Sequence, residues 1–92
     1  MTLRDSARYR REVEAVAAYY ETIRLPLALD FLVCLEEARA RLAAHPLTYH
    51  ERKEGVRLVI LRRFPYALRF RLAASRRAVR VLSLTHTARK PE

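Results

Sequence analysis

Tyr66-Ala67-Leu68-Arg69-Phe70-Arg71-Leu72 alternates residue by residue: Tyr66, Leu68, Phe70 and Leu72 fall on one side, Ala67, Arg69 and Arg71 on the other. A period of two is that of a β-strand with one buried face. Working outward, residues 56–63 (VRLVILRR) are β-branched and apolar and read as a preceding strand, bounded by Phe64-Pro65. A turn over 74–77 leads into a third strand over 78–86 (AVRVLSLTH), and Pro91 ends pairing in the tail 87–92. Short connections make the three an antiparallel meander. Before it, residues 47–55 (LTYHERKEG) are polar and end in the only glycine, so they read as a loop, with Gly55 at a strand entry or positive-φ turn.

The first half has the helical period. Tyr9, Val13, Val16, Ala17, Tyr20 and Ile23 recur at steps of three and four, which predicts a helix over about 8–23 capped by Asp5 or Ser6. Leu25-Pro26 breaks it. Ala28, Phe31, Leu32, Leu35, Ala38 and Leu42 predict a second helix over about 27–44, stopped by His45-Pro46. The short connection makes the two an antiparallel hairpin, spanning about 8–45. Residues 1–4 have room for a brief edge strand. The expected architecture is α+β: a helical hairpin packed on one face of the β-meander (about 56–86), the other face open and carrying Arg69 and Arg71.

Ninety-two residues make one small domain. Its lone cysteine, Cys34, cannot close an internal disulfide, which fits a reducing compartment, and its place on the second helix reads as a small core residue rather than a nucleophile. No apolar run approaches the ~20 residues of a membrane span, and MTLRDSARYRR has no apolar signal core. A cytoplasmic protein without a membrane partner is expected. His45, His50 and His86 have no metal-ligand spacing, so neither a metal nor another cofactor is expected.

Charge is unevenly spread. The net charge of +9 lies wholly beyond Pro46: residues 1–46 carry seven arginines against seven acids, residues 47–92 twelve bases against three acids. The second half therefore suits a polyanionic or acidic partner.

Several motifs, taken in order, resemble one family. Gly55-Val56-Arg57, then Leu61-Arg62-Arg63-Phe64-Pro65-Tyr66, then His86-Thr87-Ala88-Arg89-Lys90-Pro91 resemble the RelE/ParE superfamily of toxins from bacterial type II toxin–antitoxin systems. RFPY followed by HxxRxP resembles its ParE-like branch. Ala17-Ala18-Tyr19-Tyr20-Glu21 is similar to the family's first helix, and Phe31-Leu32, Leu35-Glu36 and Leu42 to Pro46 are similar to its second. The resemblance spans about residues 7–91. Two departures stand out: the family opens with a full β-strand where only about seven residues precede the helix here, and its ribonuclease branch carries an arginine about where Tyr66 stands.

The resemblance implies a growth-inhibiting toxin neutralised by a co-encoded acidic antitoxin in a hetero-oligomer. Two mechanisms follow. A ParE-like protein inhibits DNA gyrase without catalysis, which the RFPY motif and Tyr66 favour; a RelE-like one is a ribosome-dependent endoribonuclease acting on mRNA. Metal-free RNA cleavage needs a base, an acid and cations for the phosphorane. The candidates are His86, Arg89 and Lys90 at the end of the last strand, Arg62 and Arg63 beside them, and Glu51 or Glu54 as base. For target binding the candidates are His86, Arg89, Lys90 and Tyr66. Arg57, Arg62, Arg69 and Arg71 are candidates for antitoxin carboxylates. An unrelated basic RNA-binding domain is the remaining reading. It suits the sequence less, because Tyr66 and Phe70 alternate away from Arg69 and Arg71 and so form no basic stacking platform.

Overall fold

A computed structural model describes residues 1–75 and 77–88. The elements run β1 (Thr2–Asp5), α1 (Ala7–Ile23), α2 (Leu25–Ala44), two single 3-10 turns (Pro46–Thr48 and Lys53–Gly55), β2 (Arg57–Ile60), β3 (Tyr66–Leu72) and β4 (Ala78–His86). The strands form one sheet in the order β1-β4-β3-β2. β2, β3 and β4 are the expected antiparallel meander. β1 joins the far edge parallel to β4, Thr2 opposite Ala78 through Asp5 opposite Val81. The early strand is thus present but short, and it makes the sheet mixed.

The boundaries differ where backbone chemistry intervenes. Pro26 does not hold off α2 until residue 27. It lies in the first turn of a helix that starts at Leu25, where a missing N–H is tolerated, and the extended Arg24 alone separates the two helices. β2 ends at Ile60 instead of 63. Arg63 adopts φ +70°, a left-handed conformation that no strand continues through. Gly55 has φ +76°, as a positive-φ turn at the strand entry requires.

Ser6 rather than Asp5 caps α1. Its Oγ accepts the Tyr9 N–H (2.9 Å) and donates to the Leu82 carbonyl (2.7 Å), while its own N–H reaches the Val81 carbonyl (3.0 Å). One residue therefore starts the helix and fastens it to β4. Asp5 instead accepts from Arg39 of α2 (2.8 Å), which also donates to the Tyr9 hydroxyl (3.2 Å). Burial alone would lower the Arg39 pKa, but these two partners hold it above its ordinary value.

The helices cover one sheet face. Tyr9, Phe31, Cys34, Leu35, Ala38 and Leu42 pack against Val59, Leu61, Phe64, Leu68, Phe70, Val79, Val81 and Leu84. β4 carries a β-bulge: Arg69 pairs with Ser83 and Phe70 with Val81, so Leu82 is an extra residue. The bulge flips the alternation. Val79 and Val81 face the helices before it, Leu84 and His86 after it, opposite Leu68 and Tyr66.

Candidate functional site at the end of the last strand

The bulge brings His86 to the helix side of the sheet, where its ring meets Tyr66 edge to face (centroids 5.1 Å apart, 79°). Tyr66 continues into an aromatic cluster with Tyr20, Phe31 and Phe64. Burial raises the Tyr20 phenol above its ordinary value of 10.0, and the adjacent Tyr66 hydroxyl adds to the shift. The cluster anchors the start of β3 and one side of a hollow.

This hollow, of about 270 Å³, is lined by Arg8, Glu12 and Val16 of α1 together with Tyr66, Thr85 and His86. Glu12 has two commitments. Its Oε1 accepts the Leu84 N–H (3.1 Å) and its Oε2 accepts from Arg8 one turn back (3.4 Å). Arg8 and Glu12 were not legible as site residues. They are an ordinary i,i+4 pair on a helix, and only the docking of α1 on β4 brings them to His86.

The His86 ring is oriented by its own chain: Nδ1 accepts the Ala88 N–H (3.1 Å). The loop between β2 and β3 lies at the same end, since Pro65 accepts the Thr87 N–H (2.9 Å). It carries Arg62 and Arg63, both exposed, and Arg63 lies 3.7 Å from Asp30. His86, Tyr66, Arg62 and Arg63 are thus gathered at one end of the sheet. Arg89 and Lys90 lie outside the described residues.

The acidic candidates are elsewhere. Glu54 sits in the turn before β2, whose first residue Arg57 pairs with Phe70, and Tyr66 begins the far end of β3. Four strand residues separate those ends, roughly 13 Å. Glu51 pairs with Arg57 (3.3 Å) in the same distant loop.

Nor do the four antitoxin candidates share a face. Arg57 is drawn to the helix side. It donates to the Tyr49 carbonyl (2.8 Å) and is 14% exposed in its side chain. Arg69 and Arg71 lie on the open side, Arg69 donating to the buried Ser83 hydroxyl (3.2 Å). Phe70 is fully buried on the opposite side, so the open face has no aromatic platform beside these arginines.

No family model and no curated protein matches this sequence. Solved structures do. A chain of the chromosomal ParDE TA system from P. aeruginosa superposes with a TM-score of 0.78 at 21% identity, over 94% of this chain and 95% of that one. A chain of the toxin–antitoxin complex RelBE2 from Mycobacterium tuberculosis superposes with a TM-score of 0.60 at 26% identity, over 92% and 95%. The short parallel β1, the helical hairpin and the three-strand meander thus form a fold that this chain shares with a chain of each of these two systems.

Proposed function

We propose that this chain is the toxin of a type II toxin–antitoxin pair, held inactive in a hetero-oligomer with a co-encoded acidic antitoxin, and that it acts in the cytoplasm as a ParE-like inhibitor of DNA gyrase. The fold it shares with the ParDE and RelBE2 systems supports the toxin reading. The observation favouring gyrase binding over RNA cleavage is the set of groups around His86. Its Nδ1 accepts the Ala88 N–H of its own chain, and the carboxylate in the same hollow, Glu12, is taken by the Leu84 N–H and by Arg8, so neither serves as a general base without giving up a bond it makes. Tyr66, the residue against its ring, supplies no cation for a phosphorane.

The RelE-like ribonuclease is the second reading, favoured by the gathering of His86 with Arg8, Arg62 and Arg63 at one end of the sheet. Induced expression decides between them. The gyrase reading expects growth arrest with DNA breaks and unchanged mRNA, relieved by co-expressing the neighbouring gene. Codon-spaced mRNA cuts preceding any DNA damage would replace it with the ribonuclease. Unimpeded growth at verified folded expression would remove the toxin reading altogether.

A further inference from the structure

The open face of the sheet carries a row that no stretch of sequence contains. Arg4 of β1 pairs with Arg80 of β4, and Arg80 pairs with Arg71 of β3, so three arginines stand side by side across three strands. All three are exposed. Among the described residues none of them takes part in an ion pair. Like charges directly across a sheet destabilise it, so the row weakens the free protein. Arg77 joins Arg4 and Arg80 around an adjoining hollow of about 840 Å³. The only acid there, Asp5, is already bonded to Arg39.

Beside the row, the face changes character. Ser83, Arg69 and Leu58 form the next line across β4, β3 and β2, and Thr85, Ala67 and Ile60 the one after. Ala67 and Ser83 are already buried, Ser83 beneath Arg69, while Ile60 is 58% exposed and Leu58 partly so, and these two supply the apolar surface that this face offers a partner.

We infer that the Arg4–Arg80–Arg71 row is a docking site for an acidic amphipathic helix of a partner protein, lying across the strands with its carboxylates over the row and its apolar stripe toward Leu58 and Ile60. The spacing carries the choice of a helix. Two interstrand steps span about 9.6 Å, and helix positions i, i+3 or i+4, and i+7 span about 10.5 Å on one face. Each carboxylate then meets one guanidinium. An extended acidic strand puts same-side carboxylates about 6.8 Å apart and drifts out of step. Single-stranded nucleic acid is disfavoured because no aromatic ring stands on this face to receive a base.

The inference rests on the antitoxin reading for the identity of the partner, but it is tested without it. The probe is a synthetic helical peptide of about 20 residues, long enough to hold a helix. It has a leucine stripe flanked by glutamates at i, i+4 and i+7, and its twin carries glutamine there. Fluorescence anisotropy at low salt should show the glutamate peptide binding the full chain at least tenfold more tightly than its twin. Arg80→Gln and Arg71→Gln should each erase about three- to tenfold of that difference. The same substitutions should raise the melting temperature, since they relieve repulsion, whereas a purely structural role would lower it. Arg10→Gln, on the exposed side of α1, should change neither reading. Equal affinity for the two peptides, Arg80→Gln binding unchanged, or an oligonucleotide outcompeting the peptide in an Arg80-dependent way would each overturn the proposal. Should an antitoxin neutralise the wild type and Arg80→Gln with equal affinity, the docking site is wrong and the toxin reading stands. Lack of toxicity removes the toxin reading and leaves the peptide result to be judged alone.

Discussion

Tyr66 and His86 face each other at the end of the sheet, ring centroids 5.1 Å apart, because β4 holds one residue too many at Leu82. Under strict alternation from Val79 and Val81, His86 would point away from the helices. The bulge instead sets it in the hollow beside α1.

This contact separates the two mechanisms. In a gyrase inhibitor His86→Ala removes one edge-to-face contact and should reduce toxicity by less than about tenfold, since such aromatic pairs are worth about 0.5–1.5 kcal/mol. In a ribonuclease it removes the acid or base, and cleavage should fall about 10²–10⁴-fold. Dose–response of growth arrest against measured toxin level, with melting temperature as the folding control, reads the difference.

Arg39 bonds Asp5 at 2.8 Å and the Tyr9 hydroxyl at 3.2 Å, with side chains 17% and 22% exposed in the ion pair. Arg39→Met leaves both partners without a donor and should destabilise by about 2–3 kcal/mol. Adding Asp5→Asn should recover part of that loss. A double-mutant cycle by urea unfolding measures the coupling; values that simply add would mean the bridge is slack in solution.

Alkaline pH should loosen the fold through Tyr9 and Tyr20. Burial is the main cause that raises both phenols above 10.0, with the Arg39 bond partly opposing it at Tyr9. A raised folded-state pKa means that the unfolded chain releases these protons first. The stabilisation is complete below pH 10 and is lost as pH climbs through the folded values. Urea midpoints should hold between pH 8 and 9.5 and drop by pH 11. In Tyr20→Phe the drop should be shallower. An identical slope would show that Tyr20 does not contribute.

Arg63 is held at φ +70° and makes only a 3.7 Å contact with Asp30, both side chains being about half exposed or more. A surface pair of that kind contributes little. Arg63→Gly should therefore raise stability by up to about 1 kcal/mol by relieving the left-handed backbone, while Arg63→Ala should not. Comparing the two thermal midpoints isolates backbone strain from lost charge.

The fold was legible where burial is periodic. The alternation over Tyr66–Leu72 and the helical stripe through Phe31, Leu35, Ala38 and Leu42 each state which side faces the core, and those residues form it. Contacts between distant segments were not legible. Nothing in Thr2–Asp5 names β4 as its partner or parallel as its direction. Position 82 shows no sign of a bulge, so the sequence alone cannot assign His86 to a face. Arg57 looked like a surface cation, yet its register with Phe70 turns it toward the helix side, where Tyr49 and Glu51 hold it. The motifs single out His86 and Tyr66 each by itself, and only the register of β3 with β4 makes them neighbours; Arg8 and Glu12 arrive from a helix more than 70 residues before His86 in the chain.

The parallel pairing of β1 with β4 sets an order of events during synthesis. Thr2–Asp5 is made first, yet its hydrogen-bonding partner is residues 78–81, and Ser6 likewise waits for Val81 and Leu82 to anchor α1. Until those residues leave the ribosome, β1 has no strand to pair with and α1 lacks the strand to which Ser6 and Glu12 fasten it. Such long-range closure is slow relative to local helix formation. A nascent chain that has yet to close its sheet cannot present the Tyr66–His86 hollow or the Arg4–Arg80–Arg71 row. Both surfaces therefore come into being together, when residues 78–86 take their place between β1 and β3.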